Sequence, residues 1–214
     1  MKRLTLTLSL FTLITASANS AELEAILTPL NAPQDREQVI LKNDGFQDSG
    51  APVYAQLGFI KGEKAGVWVK VPPYAKNFKV DYFRVLIGGV PQRMPVQAFF
   101  HMGVSDRMSP QIPQQIENAV QVTAGPYWND IPAQGLQGGL PCVEGGQFIG
   151  AALEFVHTGP PSVYRDSDGL SNPMANTLMA IPGGWNYSVV FGLQGDWVLR
   201  VVGHEADASE CGRD

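Results

Sequence analysis

Apolar and polar residues alternate along much of this chain with a period of two, the repeat of a strand with one face in a core. In GVWVKV (66–71), Val67, Val69 and Val71 alternate with Trp68 and Lys70. NFKVDYFRVLIG (77–88) begins in the same way with Phe78, Val80 and Tyr82, then changes phase near Arg84, which predicts a β-bulge. Further strands are predicted at VYAQLGF (53–59), VQAFFHMGV (96–104), NAVQVTA (118–124), FIGAALEFVH (148–157), NTLMAI (176–181), YSVVFGL (187–193) and DWVLRVVG (196–203), with EQVILKN (37–43) as an earlier one. No long segment repeats apolar residues at i, i+3, i+4 and i+7, and 23 glycines and 16 prolines interrupt the chain throughout. The pattern predicts an all-β fold, an antiparallel β-sandwich with jelly-roll-like topology.

The two ends read differently. Residues 1–20 carry Lys2 and Arg3, then an apolar run from Leu4 to Ile14, then small residues at Ala16, Ala18 and Ser20, followed by Ala21. This is the arrangement of a secretory signal peptide, with cleavage expected after Ala18 or Ser20. Residues 21–45, with Pro29 and Pro33, are expected to form a lead-in that wraps a single sandwich domain at 46–203, and 204–214 (HEADASECGRD) form a polar tail. No later run is long and apolar enough for a membrane helix, so the mature chain is expected to be exported to the periplasm or the medium. The net charge of −5 becomes more negative once Lys2 and Arg3 are removed, which disfavours nucleic acid and anionic membranes as partners. Cys142 and Cys211 have no histidine at ligand spacing, and in an oxidising compartment they are expected to form a disulfide that ties the tail to the body.

The last third of the chain contains PSV (161–163), then Asp166, Asp168 and Gly169, then IPGGW (181–185) and GDWVLR (195–200). Together with GFIKGEKAGVWVKVPP (58–73), these segments resemble a group of exported bacterial β-sandwich proteins with no characterised activity. The resemblance covers residues 46–203 and implies a secreted β-sandwich, without an activity or a ligand.

Three groups of residues invite chemistry. In RDSDGLSN (165–172), Asp166, Asp168 and Asn172 offer hard oxygen ligands of the kind Ca²⁺ takes, although the loop lacks a complete EF-hand pattern. The alternative is a tight turn at Asp168-Gly169 with Asp166 capping loop amides. Tyr127, Trp128, Asn129 and Asp130, and Trp185 and Asn186 beside Tyr187, are placed in loops, where a flat ring with amide and carboxylate neighbours suits a pyranose. The alternative is that these rings close the ends of the core, as Trp68 and Trp197 do within strand patterns. Glu154 shares strand parity with Phe148, Gly150, Ala152 and Val156, and paired with a second carboxylate such as Asp81 it would form a glycosidase dyad.

His101, His157 and His204 show no metal spacing, and the chain has no nucleophile elbow, phosphate loop or dinucleotide fingerprint. The sequence therefore favours a non-catalytic binding module for an extracytoplasmic glycan or protein, needing no cofactor or only a bracing Ca²⁺. A jelly-roll glycoside hydrolase using Glu154 and a structural envelope or matrix protein are the rivals.

Overall fold

The period-two segments become strands in a computed structural model that describes residues 37–47, 52–112, 114–124, 127–133, 140, 142–170 and 177–212, with the backbone alone at 114–120, 123, 124 and 127. The leader-like residues, most of the lead-in and Asn172 lie outside the described residues. Among the described residues the strands are β1 (Val39–Leu41), β2 (Val53–Ala55), β3 (Lys64–Lys70), β4 (Phe78–Gly88), β5 (Met94–Ser105), β6 (Gln114–Ala124), β7 (Tyr127–Pro132), β8 (Phe148–Phe155), β9 (Ser162–Asp166), β10 (Thr177–Ile181), β11 (Gly184–Tyr187) and β12 (Leu199–Glu205). They form two antiparallel sheets. The first has the order β1-β12-β4-β9-β2, with β7 also paired to β4, and the second runs β11-β10-β3-β8-β5-β6.

The sheets pack face to face through their apolar parity. Val67 and Val69 of β3, Phe83, Val85 and Ile87 of β4, Phe100 and Met102 of β5, Ile149, Leu153 and Phe155 of β8, and Leu199 and Val201 of β12 fill one core. Phe83 crosses from the first sheet to meet Phe100 of the second with ring centroids 4.6 Å apart. Phe59 joins Phe155 at 4.5 Å to Trp197 at 5.8 Å. Trp197 is fully buried, and its indole N–H donates to Leu178 O at 2.8 Å, so its one polar atom is satisfied. Each fully buried aliphatic or aromatic side chain of this kind contributes about 1.5–3 kcal/mol.

The sandwich is the architecture the alternation predicts, with local differences. YSVVFGL does not continue as a strand: after Tyr187 the chain turns through a short 3-10 helix (Ser188–Phe191), with Val189 and Val190 exposed. Ser188 is buried and donates from its Oγ to Thr177 O at 3.0 Å, and Gly192 closes the turn in the left-handed region at φ 71°. Strand β7 arises in what reads as a Gly- and Pro-rich connection, and β9 arises where RDSDGLSN reads as a loop. The phase change in β4 is a β-bulge, three residues before Arg84. Val202 faces Tyr82 and Gly203 faces Val80, which leaves Asp81 as the extra residue. Glycine is required opposite, because a Cβ at Gly203 would lie 2.2 Å from Lys79 O.

The disulfide forms as expected between Cys142 and Cys211, with Cα atoms 5.5 Å apart across a separation of 69 residues. It ties the segment before β8, already paired to Phe78 through Val143, to the 3-10 turn after β12. Replacing both cysteines (Cys142→Ser with Cys211→Ser) is expected to lower stability by about 4 kcal/mol through unfolded-state entropy. Differential scanning calorimetry should then show the midpoint about 10 °C lower.

Candidate functional site

On the outer face of the second sheet, strand parity and register assemble a polar cluster on a flat floor. The inward residues Ala65, Val67 and Val69 of β3 and Ile149, Ala151 and Leu153 of β8 leave Lys64, Gly66 and Trp68, and Gly150, Ala152 and Glu154, pointing outward. Pairing sets Trp185, Ala180, Lys64, Glu154 and Phe99 in one row across five strands. Tyr187, Leu178, Gly66, Ala152 and His101 make the next row.

Gly and Ala in the middle of these rows leave room for large rings to lie across the sheet. A Cβ at Gly66 would sit 3.2 Å from Trp185 Cζ3 and 2.9 Å from Ala152 Cβ, and one at Gly150 would sit 2.8 Å from the Trp68 ring. Trp68 is buried and donates its indole N–H to Ser109 O at 2.8 Å, so the loop after β5 covers it. Trp185 stays half-buried, at the sheet edge, and meets the His101 ring edge-on at 6.3 Å.

Glu154 is the centre of the cluster. Its Oε2 accepts from Lys64 Nζ at 2.7 Å and from His101 Nε2 at 2.8 Å, while Lys64 also donates to Gly62 O at 3.3 Å. Burial, the largest effect on His101, outweighs its bond to Glu154 and lowers its pKa, so the ring is neutral at neutral pH and its Nε2 carries the hydrogen that it donates. For Glu154, burial opposes ionisation, but the hydrogen bonds from Lys64 and His101 prevail and hold it below the usual glutamate range. The result is a fixed, ionised carboxylate. Its chemistry is that of an acceptor rather than of a general acid, which needs a raised pKa.

Asp81 does not complete a dyad with Glu154. It sits at the bulge of β4 in the first sheet, where its Oδ2 lies 3.0 Å from His204 Nδ1, and His204 Nε2 lies 3.3 Å from Glu210. Among the described residues no group of three His, Cys, Asp or Glu side chains is arranged to hold a metal ion.

The aromatic residues placed in loops by sequence lie in strands, on different sheets. Tyr127, Trp128, Asn129 and Asp130 belong to β7 of the first sheet, and Trp185 and Asn186 to β11 of the second. These two sets therefore do not line one site. Asn186 has the opposite parity to Trp185, and its Oδ1 accepts from Tyr187 N at 2.9 Å. The π-system of Trp128 is engaged within the protein, by the guanidinium of Arg200 at 4.7 Å and that of Arg84 at 5.9 Å. Arg84 is held by Asp130 in a two-pronged pair at 2.7 and 2.8 Å. Arg200 is buried and grips Asp44 with two nitrogens, its Nε at 3.0 Å, and also donates to Phe46 O at 2.8 Å. Arg200→Ala strands the Asp44 carboxylate without its partner and is expected to cost about 3–5 kcal/mol, read from urea unfolding.

Asp166, at the end of β9, is completely buried. Its Oδ2 accepts from Gly45 N and its Oδ1 from Asp196 N, both at 2.8 Å. Asp196 in turn accepts from the hydroxyl of Thr177. Gly195, at φ 97°, allows the approach, since a Cβ there would lie 2.1 Å from Asp166 O. Both carboxylate oxygens of Asp166 are thus committed to backbone amides, which is the geometry of a brace. Asp168 is exposed and hydrogen-bonds Asp166, and Gly169 turns the chain at φ 107°.

Burial first, and the neighbouring Asp168 charge in addition, push Asp166 up from 3.8 to about 7. The folded protein keeps a proton that the unfolded chain releases near pH 3.8, so this contribution to stability is full below that pH and is lost as pH rises through about 7. Asp168→Asn removes the repulsion between the two carboxylates. The variant is expected to melt above the wild type at pH 8 and with it at pH 4, compared by thermal unfolding in matched buffers.

Glu154 was visible from strand parity, but its partners were not. Lys64 and His101 lie 90 and 53 residues from it in sequence, and only the register of β3, β8 and β5 brings the three together. No family model, curated protein or solved structure matches this chain.

Proposed function

We propose that this protein is an exported, non-catalytic β-sandwich module that binds an extracytoplasmic glycan on the outer face of its second sheet. The observation that carries this reading is Trp185, laid against Gly66 and edge-on to His101, whose Nε2 bonds the ionised Glu154. A half-exposed ring backed by the sheet offers an apolar plane for the C–H face of a pyranose, while the adjacent carboxylate accepts from its hydroxyls. Both parts are pre-positioned, which limits the ordering entropy that binding costs.

A hydrolase is the weaker reading. Glycosidases of the usual kind pair two carboxyl groups about 5–9.5 Å apart, one of them a raised-pKa acid. Here the described partners of Glu154 are a lysine and a histidine, and its acidity is strengthened rather than weakened. With Asp166 already bound to two amides, the reading calls on no calcium. Export rests on the leader-like first 20 residues and agrees with the disulfide.

A glycan array followed by calorimetric titration tests the proposal. Trp185→Ala should remain folded by circular dichroism and bind at least about tenfold more weakly, a loss of about 1.4 kcal/mol. An array without signal above background would leave a protein partner or a purely structural envelope role as the explanation.

A further inference from the structure

Resting on the reading that this face binds glycan, we infer that its ligand is an uncharged sugar, a neutral pyranose recognised through a hydroxyl at Glu154 and Lys64, and that uronate sugars and amino sugars with a free ammonium are excluded. The inference comes from which donors and acceptors the cluster leaves open. Lys64 and His101 both use the same carboxylate oxygen, Oε2, so the Oε1 of Glu154 takes none of the hydrogen bonds within the cluster. Among the described residues, two of the three N–H groups of Lys64 have partners, at Glu154 and Gly62 O, and the third has none. The two side chains are 19 % and 18 % exposed, so the open acceptor and the open donor reach solvent side by side.

A hydroxyl is the group that both donates and accepts, and it matches this pair in full. A carboxylate would satisfy Lys64 but place an oxygen with no hydrogen against Glu154. An ammonium would satisfy Glu154 but stand against Lys64. Either ion leaves one like-charge contact, the kind of juxtaposition that makes an interface reject a partner. The local charge is also balanced, with Glu154 and Lys64 opposite in sign and His101 neutral because it is buried. The other outward cation of β3, Lys70, is at the far end of the strand, about 20 Å away, and lies over the Phe148 ring. It cannot neutralise an anion at Glu154.

The test is calorimetric titration of the purified protein at pH 6 with four hexasaccharides: cellohexaose and N-acetylated chitohexaose as neutral probes, hexagalacturonate as the anion and fully deacetylated chitohexaose, whose amines are mostly protonated there, as the cation. The expected result is binding of a neutral probe with both charged probes at least about tenfold weaker. Lys64→Met, which keeps the side-chain length but removes the cation and the open donor, should weaken the neutral probe and strengthen the ammonium one, moving their ratio at least about tenfold. A charged probe bound as tightly as the neutral ones would overturn the inference and leave glycan binding standing. Failure of all four probes, together with a blank array, would overturn the glycan reading itself.

Discussion

Asp166 holds together parts of the chain that no local preference would join. Its two oxygens fasten Gly45, 121 residues earlier, and Asp196, 30 residues later, and Asp196 reaches back to Thr177 at the start of β10. A buried carboxyl is tolerated only when its oxygens are satisfied, and here backbone amides satisfy both. The arrangement positions the segment at 42–47 over the first sheet, and that segment then supplies Asp44 to Arg200 and Phe46 to the apolar cluster with Leu86, Tyr164 and Val198. Removing any one of these partners exposes the others to an uncompensated burial cost, so the set behaves as a unit.

The two outer faces show how the same residue types reach different ends. On the first sheet, Trp128 lies near two arginines, each neutralised by its own aspartate, and the two guanidinium groups occupy its π-system. On the second, the middle of the face is Gly and Ala, so Trp185 lies down on the sheet and Glu154 keeps one oxygen open. Bulk at the neighbouring positions decides whether a tryptophan becomes part of a closed stack or a surface.

Strand existence was legible because alternation reports burial directly: β3, β4, β5, β8 and β12 each put their apolar parity into the core. Two of the missed strands have clear physical reasons. In β7, polar Asp130 sits opposite Arg84 of β4, which satisfies it, so the usual apolar signal is absent. In β9, the buried aspartate at the strand end reads as a turn residue until its amide partners are known. The stretch 188–191 errs in the other direction, since Val189 and Val190 have strand propensity while their side chains remain exposed in a 3-10 turn.

By itself the sequence determined the all-β class, the sandwich, the pairing of the two cysteines and the parity that Glu154 shares with Gly150 and Ala152, because each follows from a period of two or from a count of two. Only the tertiary structure decided that Glu154 meets Lys64 and His101, that Trp128 and Trp185 face opposite ways, and that Asp81 belongs to His204. These contacts depend on which strands become neighbours and in what register. A one-residue slip would send every one of those side chains to the other face.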